Sequence, residues 1–395
     1  MTVSFWQQSV RASDLSCDIA VIGGGIIGVS TAYWLHRLRP ALKIALLEAD
    51  LLAAGASGRN AGFLLQGTAT NYHTDIARYG PDRARRLWHF TRENRALIGS
   101  ELDRRAIQLE ESGSLTVAGS AEEDARLQES VPLMRADGLP VAYLPAREIN
   151  RRIYGRGFKG GLFIPTGAML HPARLVRGIA SASKATVLEH HRALSLEAAP
   201  AGVRVETTQR VVVAGQVVLA LNAYLPKLVP ALSRYVRPVR AQMFSTEPQA
   251  TRWLHTPVYT HEGYFYLRQT VAGHLLLGGA RHLHEAEEIG YNDTTTRELQ
   301  ADLQAYLDTH FPRSQGASVR HRWSGLMGFS QDSLPALGGV PGVEGSYWAA
   351  GFTGHGMGYG FRFGKLLAEV TLGDVRPEGL DLFTAARFEG EPSRG

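Results

Sequence analysis

The stretch that most constrains this chain runs from Asp18 to Asp50. A short apolar run, Ile19 to Ile22, leads into Gly23-Gly24-Gly25-Ile26-Ile27-Gly28, which matches G-x-G-x-x-G. Ile27, Thr31, Trp34, Leu35 and Leu38 then recur at helical spacing, predicting a helix from about Ile26 to Leu38 that Pro40 ends. A second apolar run, Lys43 to Leu47, stops at Glu48. In such a strand–turn–helix–strand unit Gly23 permits the tight turn, Gly25 lets the backbone approach a pyrophosphate, and Gly28 lets the helix pack on the strand. Amides at the helix start, at Ile26 and Ile27, face the phosphates with the positive end of the helix dipole behind them. Glu48, with Ala49 beside it, stands where a carboxylate accepts hydrogen bonds from ribose hydroxyls and disfavours a 2′-phosphate. A bare G-x-G-x-x-G also occurs as a plain glycine turn. The two strands, the helix and the terminal Glu together point to a bound dinucleotide other than NADP.

A chain of 395 residues has room for two lobes, each with its own core. No apolar run approaches the ~20 residues of a membrane span. Met1 to Ser16 contains no apolar h-region, so no signal peptide is expected. Cys17 is the only cysteine, which excludes an internal disulfide, makes a cytoplasmic location the default and suggests a small buried apolar residue. The net charge of +5 would suit nucleic acid, but the basic residues are nearly all Arg and are spread along the chain. The densest patch, Arg83-Ala84-Arg85-Arg86, falls in a helical stretch with Asp82 and Glu93 and reads as a solvated helix face. His282-x-His284 and His190-His191 lack a third ligand at useful spacing, so no metal is expected and these histidines read as surface residues.

Small residues dominate Leu51 to Phe63, which lets a backbone lie flat against a planar ligand. Within it, Gly55-Ala56-Ser57-Gly58-Arg59-Asn60-Ala61-Gly62 resembles the loop of the D-amino-acid-oxidase-like flavoproteins, a superfamily of glycine and sarcosine oxidases and D-amino-acid dehydrogenases. The γ-glutamylputrescine oxidase branch carries nearly this string. The resemblance implies FAD, with the loop from Ser57 to Gly62 close to the flavin. It further implies an adenine contact at Ala193 and Leu194, and a small-residue cofactor turn at Asn222 and Ala223. Near the C-terminus it implies flavin contacts at Gly325, Met327 and the turn Gly354-His355-Gly356-Met357. There helix-start amides would face the electron-rich edge of the ring, which a positive helix end stabilises.

Further elements follow from pattern. Helices are expected over Pro81 to Leu109, over Ala121 to Ala136 with a break at Pro132, over Ala173 to Ser181, over Thr294 to Phe311, and from the last glycine turn to Leu372. Strands are expected at Ser114 to Ala118, Val203 to Glu206, Arg210 to Val213, Arg237 to Thr246 and Tyr347 to Ala350, and the family resemblance implies a further strand ending in a small-residue turn over Val217 to Ala223. Gly263 to Arg268 and His274 to Gly279 read as a hairpin pair. The architecture expected is α/β and two-lobed. A Rossmann-type FAD lobe would comprise 1–80, 151–235 and 320–395, and an antiparallel-sheet substrate lobe with helices would comprise 81–150 and 236–319.

For the chemistry, the resemblance implies oxidation of a C–N bond in a small amine or amino acid, with hydride passing to flavin N5 and the imine hydrolysing later. Such a reaction needs positioning more than acid–base groups, so no catalytic residue is assigned beyond the candidate His355. Arg268 ends its strand and is the candidate grip on a substrate carboxylate; a surface strand-end arginine is the alternative. Tyr264 and Tyr266 share a strand face beside it, for packing or substrate contact. His171 precedes a helix, for capping, packing or substrate contact. Family members that take D-amino acids carry an arginine after the Gly-Leu pair where this chain has Met327. Sarcosine oxidases attach flavin to a cysteine, a role Cys17 is not placed to fill, so FAD is expected to be noncovalent. They also use a lysine where this chain has Gly358. The electron acceptor, O2 or a quinone-type partner, is therefore open, and a catalytically silent flavin subunit or the flavin half of an RNA-modifying enzyme stand as rivals.

Overall fold

A computed structural model of the chain describes residues 4–6 and 12–389; part of the Met1 to Ser16 stretch read above lies outside them. The opening unit forms as expected from β1 (Leu15–Ile22), α1 (Ile26–Leu38) and β2 (Ile44–Leu47). A helical turn α2 (Ala56–Arg59) and a short strand β3 (Phe63–Leu64) follow, then α3 (Tyr72–Tyr79) and α4 (Pro81–Glu101). The helix expected to reach Leu109 ends at Glu101, with Leu102 extended.

Next come β4 (Ser114–Ala118), α5 (Ala121–Ala136), β5 (Ala142–Pro145), α6 (Ala146–Arg152), β6 (Gly160–Ile164), β7 (Ala168–Met169), α7 (Pro172–Ala182) and β8 (Thr186–Leu188). Pro132 does not break α5. Leu127, Val131 and Met134 on both sides of it pack into one cluster with Tyr72 and Trp88, and that burial outweighs the lost backbone bond. A meander follows, β9 (Ala193–Ala199), β10 (Gly202–Thr207) and β11 (Val211–Leu219). The two strands expected at 210–213 and 217–223 are one, because Val212 and Val218 both pair with β1, opposite Leu15 and Val21.

The remaining elements are α8 (Leu225–Leu228), β12 (Arg237–Thr246), β13 (Val258–Thr260), β14 (Phe265–Gln269), β15 (Leu275–Gly279), α9 (Arg297–His310), β16 (Val319–Phe329), β17 (Ala336–Gly339), β18 (Ser346–Ala350), α10 (Gly356–Leu372) and α11 (Leu380–Phe383).

Two eight-stranded sheets organise them. In the first, β18, β11, β1, β2 and β8 are parallel neighbours in that order, a Rossmann-type arrangement. Strand alternation divides its core in two. Ile19, Val21, Ile44 and Leu46 face the helices α1, α7 and α10. Ala20, Ile22, Ala45 and Leu47 face the meander. Helices α1 and α10 meet closely: a Cβ on Gly364 would lie 2.4 Å from the Ser30 Cβ, so glycine is required there. Cys17 is half-buried at the edge of the meander core rather than fully buried, and burial pushes its thiol up to about 11.

The second sheet runs β16-β12-β15-β14-β13-β4-β6-β5. Its pairs are antiparallel except β13 with β4. Strands β6 and β16, expected on the cofactor side, belong to this sheet. One face packs Leu267, Leu277, Val258 and Leu115 against Leu299, Leu303 and Leu307 of α9. The other face carries Met243, Tyr266 and Trp323 against Ala61 and Phe63 of the small-residue loop. The functional site lies on that side.

Among the described residues no helix is long and apolar enough to cross a membrane. The Arg83–Arg86 patch is occupied internally: Arg85 pairs with Asp82 and Arg86 with Asp381, each at 2.7 Å, and Arg83 donates to Leu382 O.

Candidate active site

The glycine turn forms a cradle that side chains would fill. Gly23 has φ 117°, and a Cβ on Gly28 would lie 1.8 Å from its carbonyl oxygen. A Cβ on Gly25 would lie 2.9 Å from Ser57 Oγ. That hydroxyl accepts from the Ile26 N–H at 2.8 Å, tying the loop to the start of α1. The first turn of α1 has no acidic residue and no capping side chain at Gly25, so its positive end is available to an anion. Glu48 is held at the mouth of the turn: Oε2 accepts from Gly24 N at 2.7 Å and Oε1 from Asp50 N at 2.9 Å. Each oxygen retains a further lone pair for a hydroxyl donor. Ala49 follows at the surface end of β2. Ala193 and Leu194 open β9, next to His191, whose N–H donates to Glu48 O at 2.7 Å.

The loop after α2 is fixed by its own side chains. Asn60 Oδ1 accepts from Gly62 N at 2.7 Å, and its amide donates to Ala56 O and Ser57 O. Gly58 passes so close to Ala53 O that a Cβ would sit 2.1 Å away. Arg59 donates to Ala54 O and pairs with Asp293 at 2.6 Å, joining the loop to the segment before α9. Arg268 is neither a free fork nor a surface residue. It is 6% exposed, and its Nη1 donates to Leu170 O at 2.7 Å, Ala61 O at 3.1 Å and Gly62 O at 3.2 Å. Burial, partly offset by Glu110, lowers its guanidinium to about 10, still protonated near neutral pH.

The second set of turns is joined by Asn222. This residue has φ 44°, and its Oδ1 accepts from Gly351 N at 3.0 Å, while Ala223 beside it is buried. Thr353 N donates to Gly328 O, which sets Gly354 beside Met327: a Cβ on Gly354 would be 3.4 Å from its sulfur. Gly325 passes Arg59 in the same way, 3.3 Å from a built Cβ to the Arg59 Cβ. His355 then precedes α10, which opens at Gly356 and Met357 without a side-chain cap.

Register places a row of side chains across the second sheet. Trp323 pairs with Met243, Met243 with Gly278, Gly278 with Tyr266, Tyr266 with Tyr259, Tyr259 with Thr116 and Thr116 with Leu162. Residues paired across adjacent strands point to the same face. Gly278 is necessary, since a Cβ there would lie 2.4 Å from the Tyr266 ring. Tyr264 does not share this face. It lies before β14 and its ring packs against His282 at 4.4 Å between centroids. That contact also removes His282 from the surface, while His284 pairs with Asp302 at 2.6 Å. No metal cluster occurs among the described residues.

One end of the row, Tyr259, Thr116 and Leu162, lines a cleft with Gln66, Trp88 and His355. His355 Nδ1 is 3.1 Å from Thr353 O and Nε2 is 3.4 Å from Tyr259 Oη. A carbonyl can only accept, so Nδ1 carries the proton and Nε2 faces the phenol as an acceptor. Burial lowers the His355 imidazole and raises the Tyr259 phenol, so the pair is neutral near pH 7. Gln66 is 7% exposed, with Oε1 accepting from Thr166 and Nε2 left without a partner. Behind the cleft wall, Asp75 is fully buried and accepts from Thr68, Thr70 and Trp88. Burial raises its carboxyl to about 6 against the lowering effect of those donors. Sequence reasoning missed Gln66, Asp75 and Tyr259. No motif marks Thr68 to Asn71; in the structure Asn71 caps α3, accepting from Thr74 N at 2.9 Å. His171 likewise caps α7, accepting from Arg174 N at 3.3 Å.

The family model described as DAO, FAD dependent oxidoreductase, matches residues 18–370. The chain belongs to this family. The glycine cradle, the Ser57–Gly62 loop and the uncapped start of α10 fit its flavin cofactor at both ends. The γ-glutamylputrescine oxidoreductase of Escherichia coli (strain K12) is 29% identical over 386 residues, covering 93% of this chain and 86% of that protein. The glycine oxidase of Bacillus licheniformis is 25% identical, covering 94% and 98%. Among solved structures, a glycine oxidase from Geobacillus kaustophilus superposes with a TM-score of 0.79 at 22% identity, covering 93% of this chain and 98% of that one, and shares the fold.

Proposed function

We propose that this flavoprotein oxidises the C–N bond of a small amine or amino acid, the hydrogen on the carbon leaving as hydride and the imine product hydrolysing afterwards. The observation that carries the reading is the cleft between the flavin turn and the aromatic row, closed by the neutral His355–Tyr259 pair. When bound, FAD supplies the two-electron acceptor at that end of the cleft. Gly23, Gly25, Ile26, Ile27 and Gly28 would hold the pyrophosphate, Glu48 and Ala49 the ribose, and Ala193 and Leu194 the adenine side. Ser57, Gly58, Arg59, Asn60, Ala61 and Gly62, with Asn222, Ala223, Gly325, Met327, Gly354, His355, Gly356 and Met357, would frame the ring.

The protein's own contribution is position and dryness. Tyr259, Trp88, Leu127 and Ile164 give the cleft an apolar wall, which favours a neutral amine over an ammonium. Gln66 Nε2 offers a donor that nothing in the protein uses. The Tyr259 phenol, whose proton faces His355 Nε2, keeps oxygen lone pairs that can accept from a substrate N–H. Relatives named for γ-glutamylputrescine and for glycine support a substrate of this class.

The test is anaerobic bleaching of the flavin spectrum by amino acids, N-methyl amino acids and γ-glutamylputrescine. Bleaching by at least one of them is expected; a flavin left oxidised by all of them overturns the proposal. Repeating the successful case in air with peroxide detection separates O2 from a quinone-type acceptor.

A further inference from the structure

The cleft that meets His355 carries a negative charge with no counter-charge in its wall. Among the described residues that line it there is no Lys or Arg, and its two acids are Glu123 and Glu262. Glu262 is spent outward: its half-exposed carboxylate pairs with Arg126. Glu123 is enclosed. Ser120 caps α5 by accepting from Glu123 N at 3.1 Å, which sets Glu123 in the first turn, and there it is only 4% exposed. Its carboxylate is met by backbone alone, Oε1 accepting from Glu262 N and Oε2 from Gly119 N, each at 2.7 Å. Each oxygen keeps a lone pair. Burial and the charge of Glu262 raise this carboxyl, and the two backbone donors and Arg126 lower it.

A second observation comes from the α10 side of the same cleft. Gln66 is 7% exposed, and its Nε2 has no partner among the described residues. An amide donor is met by a neutral oxygen or by the lone pair of an unprotonated amine; an ammonium has no lone pair to offer it. Leu65, the residue before it, meets the first turn of α10, where a Cβ on Gly358 would lie 2.9 Å from its carbonyl oxygen. His355 precedes that turn, and the charge of Arg281, from outside the lining, adds to the lowering of its imidazole. The cleft is therefore polarised. An unused donor and a positive field stand beside α10, and a carboxylate without a cation stands at α5.

We propose that Glu123 binds a second, cationic amino group of the substrate, so that the compound oxidised is a diamine chain, with one nitrogen unprotonated beside Gln66 and His355 and the other held as an ammonium at Glu123. This rests on the amine-oxidation reading of the same cleft and narrows it. An ammonium suits Glu123 because it donates to the free lone pairs and restores a counter-charge to an enclosed carboxylate. A carboxylate at that place meets like charge and finds no cation in the lining. The apolar lining, with Trp88, Leu127 and Leu162, suits the methylenes that join the two nitrogens.

The holoenzyme and its E123Q variant test this with three chains of one length in anaerobic bleaching: 1,5-diaminopentane, n-pentylamine and 5-aminopentanoate. In wild type the half-saturating concentration should be lowest for the diamine, about 30-fold below pentylamine, as for one charged hydrogen bond, with aminopentanoate the weakest. In E123Q the value for the diamine should rise to within about threefold of that for pentylamine. Pentylamine that matches the diamine in wild type, aminopentanoate that surpasses it, or a diamine preference that survives E123Q overturns the assignment. So does an equal rise for diamine and pentylamine, which marks Glu123 as a structural tie between α5 and the hairpin. n-Butylguanidinium, a cation with no basic amine to oxidise, is titrated by calorimetry, and its Kd should rise about 30-fold in E123Q. If no amine bleaches the wild type, the reaction reading fails, and this titration still decides Glu123: no binding to wild type, or equal binding to both proteins, overturns it. Should E123Q not fold, the wild-type comparison of the three chains decides alone.

Discussion

Replacing Arg268 with Met removes a clamp rather than a substrate contact, and the size of the effect follows from the geometry. Nη1 carries two protons and faces three carbonyl oxygens, at 2.7, 3.1 and 3.2 Å, on Leu170, Ala61 and Gly62. Two full hydrogen bonds from a charged donor, at about 1.5–3 kcal/mol each, give a loss of roughly 3–6 kcal/mol. Methionine fills most of the volume, so the cavity contribution is small. Gly62 adds a geometric reason: at φ 74° it passes so close that a Cβ would lie 2.7 Å from Nη1, so the guanidinium sets the path of the loop. R268M should therefore shift the urea midpoint downward at unchanged slope and should lose FAD on gel filtration more readily than wild type. Preference among amine substrates should persist in the protein that remains loaded. Stability within about 0.5 kcal/mol of wild type would refute the clamp. Selective loss of acid binding at unchanged stability would return Arg268 to the role its strand position first suggested.

Two other perturbations read out the pocket wall and the cradle. Asp75 has an ordinary carboxyl value of 3.8 and is raised to about 6 when folded, so the folded state binds its proton more tightly. Its stabilising contribution is complete below about pH 4 and is lost as pH rises through about 6, on the order of 3 kcal/mol. Asp75→Asn, whose amide can donate to Thr68 and Thr70 and accept from Trp88, should flatten stability across that window by this amount; an unchanged pH slope would show that Asp75 is not the titrating group. Gly25→Val places a branched side chain against Ser57 Oγ, 2.9 Å from the Cβ position, and should give a folded but colourless protein. A yellow variant would remove the cofactor from this turn.

The opening strand–turn–helix–strand unit, proposed here for the cofactor, was legible as structure because its pattern is local. Gly23 to Glu48 is one continuous unit whose glycines, helix start and strand end each meet a requirement within about thirty residues. The loop from Ser57 to Gly62 is likewise set by local contacts, Asn60 bonding Gly62 N, Ala56 O and Ser57 O. Errors elsewhere arose where tertiary packing overrode a local rule. Pro132 sits inside a helix because its flanks share one cluster. Val211 to Leu219 stays a single strand because β1 offers a partner along its length. Strands β6 and β16 could not be allotted to a sheet from their own residues, because sheet membership is a property of the partner.

The substrate half resisted reading for a deeper reason. Period-two alternation puts Tyr266 and Arg268 on one strand face, and the structure agrees. Alternation is silent on what that face meets. Tyr266 ends beside an in-register glycine, Gly278, and reaches the cleft row, whereas Arg268, two residues on, meets three carbonyls contributed by residues 61, 62 and 170. Arg281 inverts the case. Nothing in Gly279-Ala280-Arg281 announces where that side chain goes, because the feature that aims it is a left-handed alanine, and alanine carries no sequence signal for that conformation. An arginine in a recognisable strand is thus consumed by the fold, while an arginine at an unmarked corner stays half-exposed between two rings. The difference lies in whether the surrounding backbone supplies acceptors, and that is settled only when the loop, the hairpin and the flavin turn are brought together.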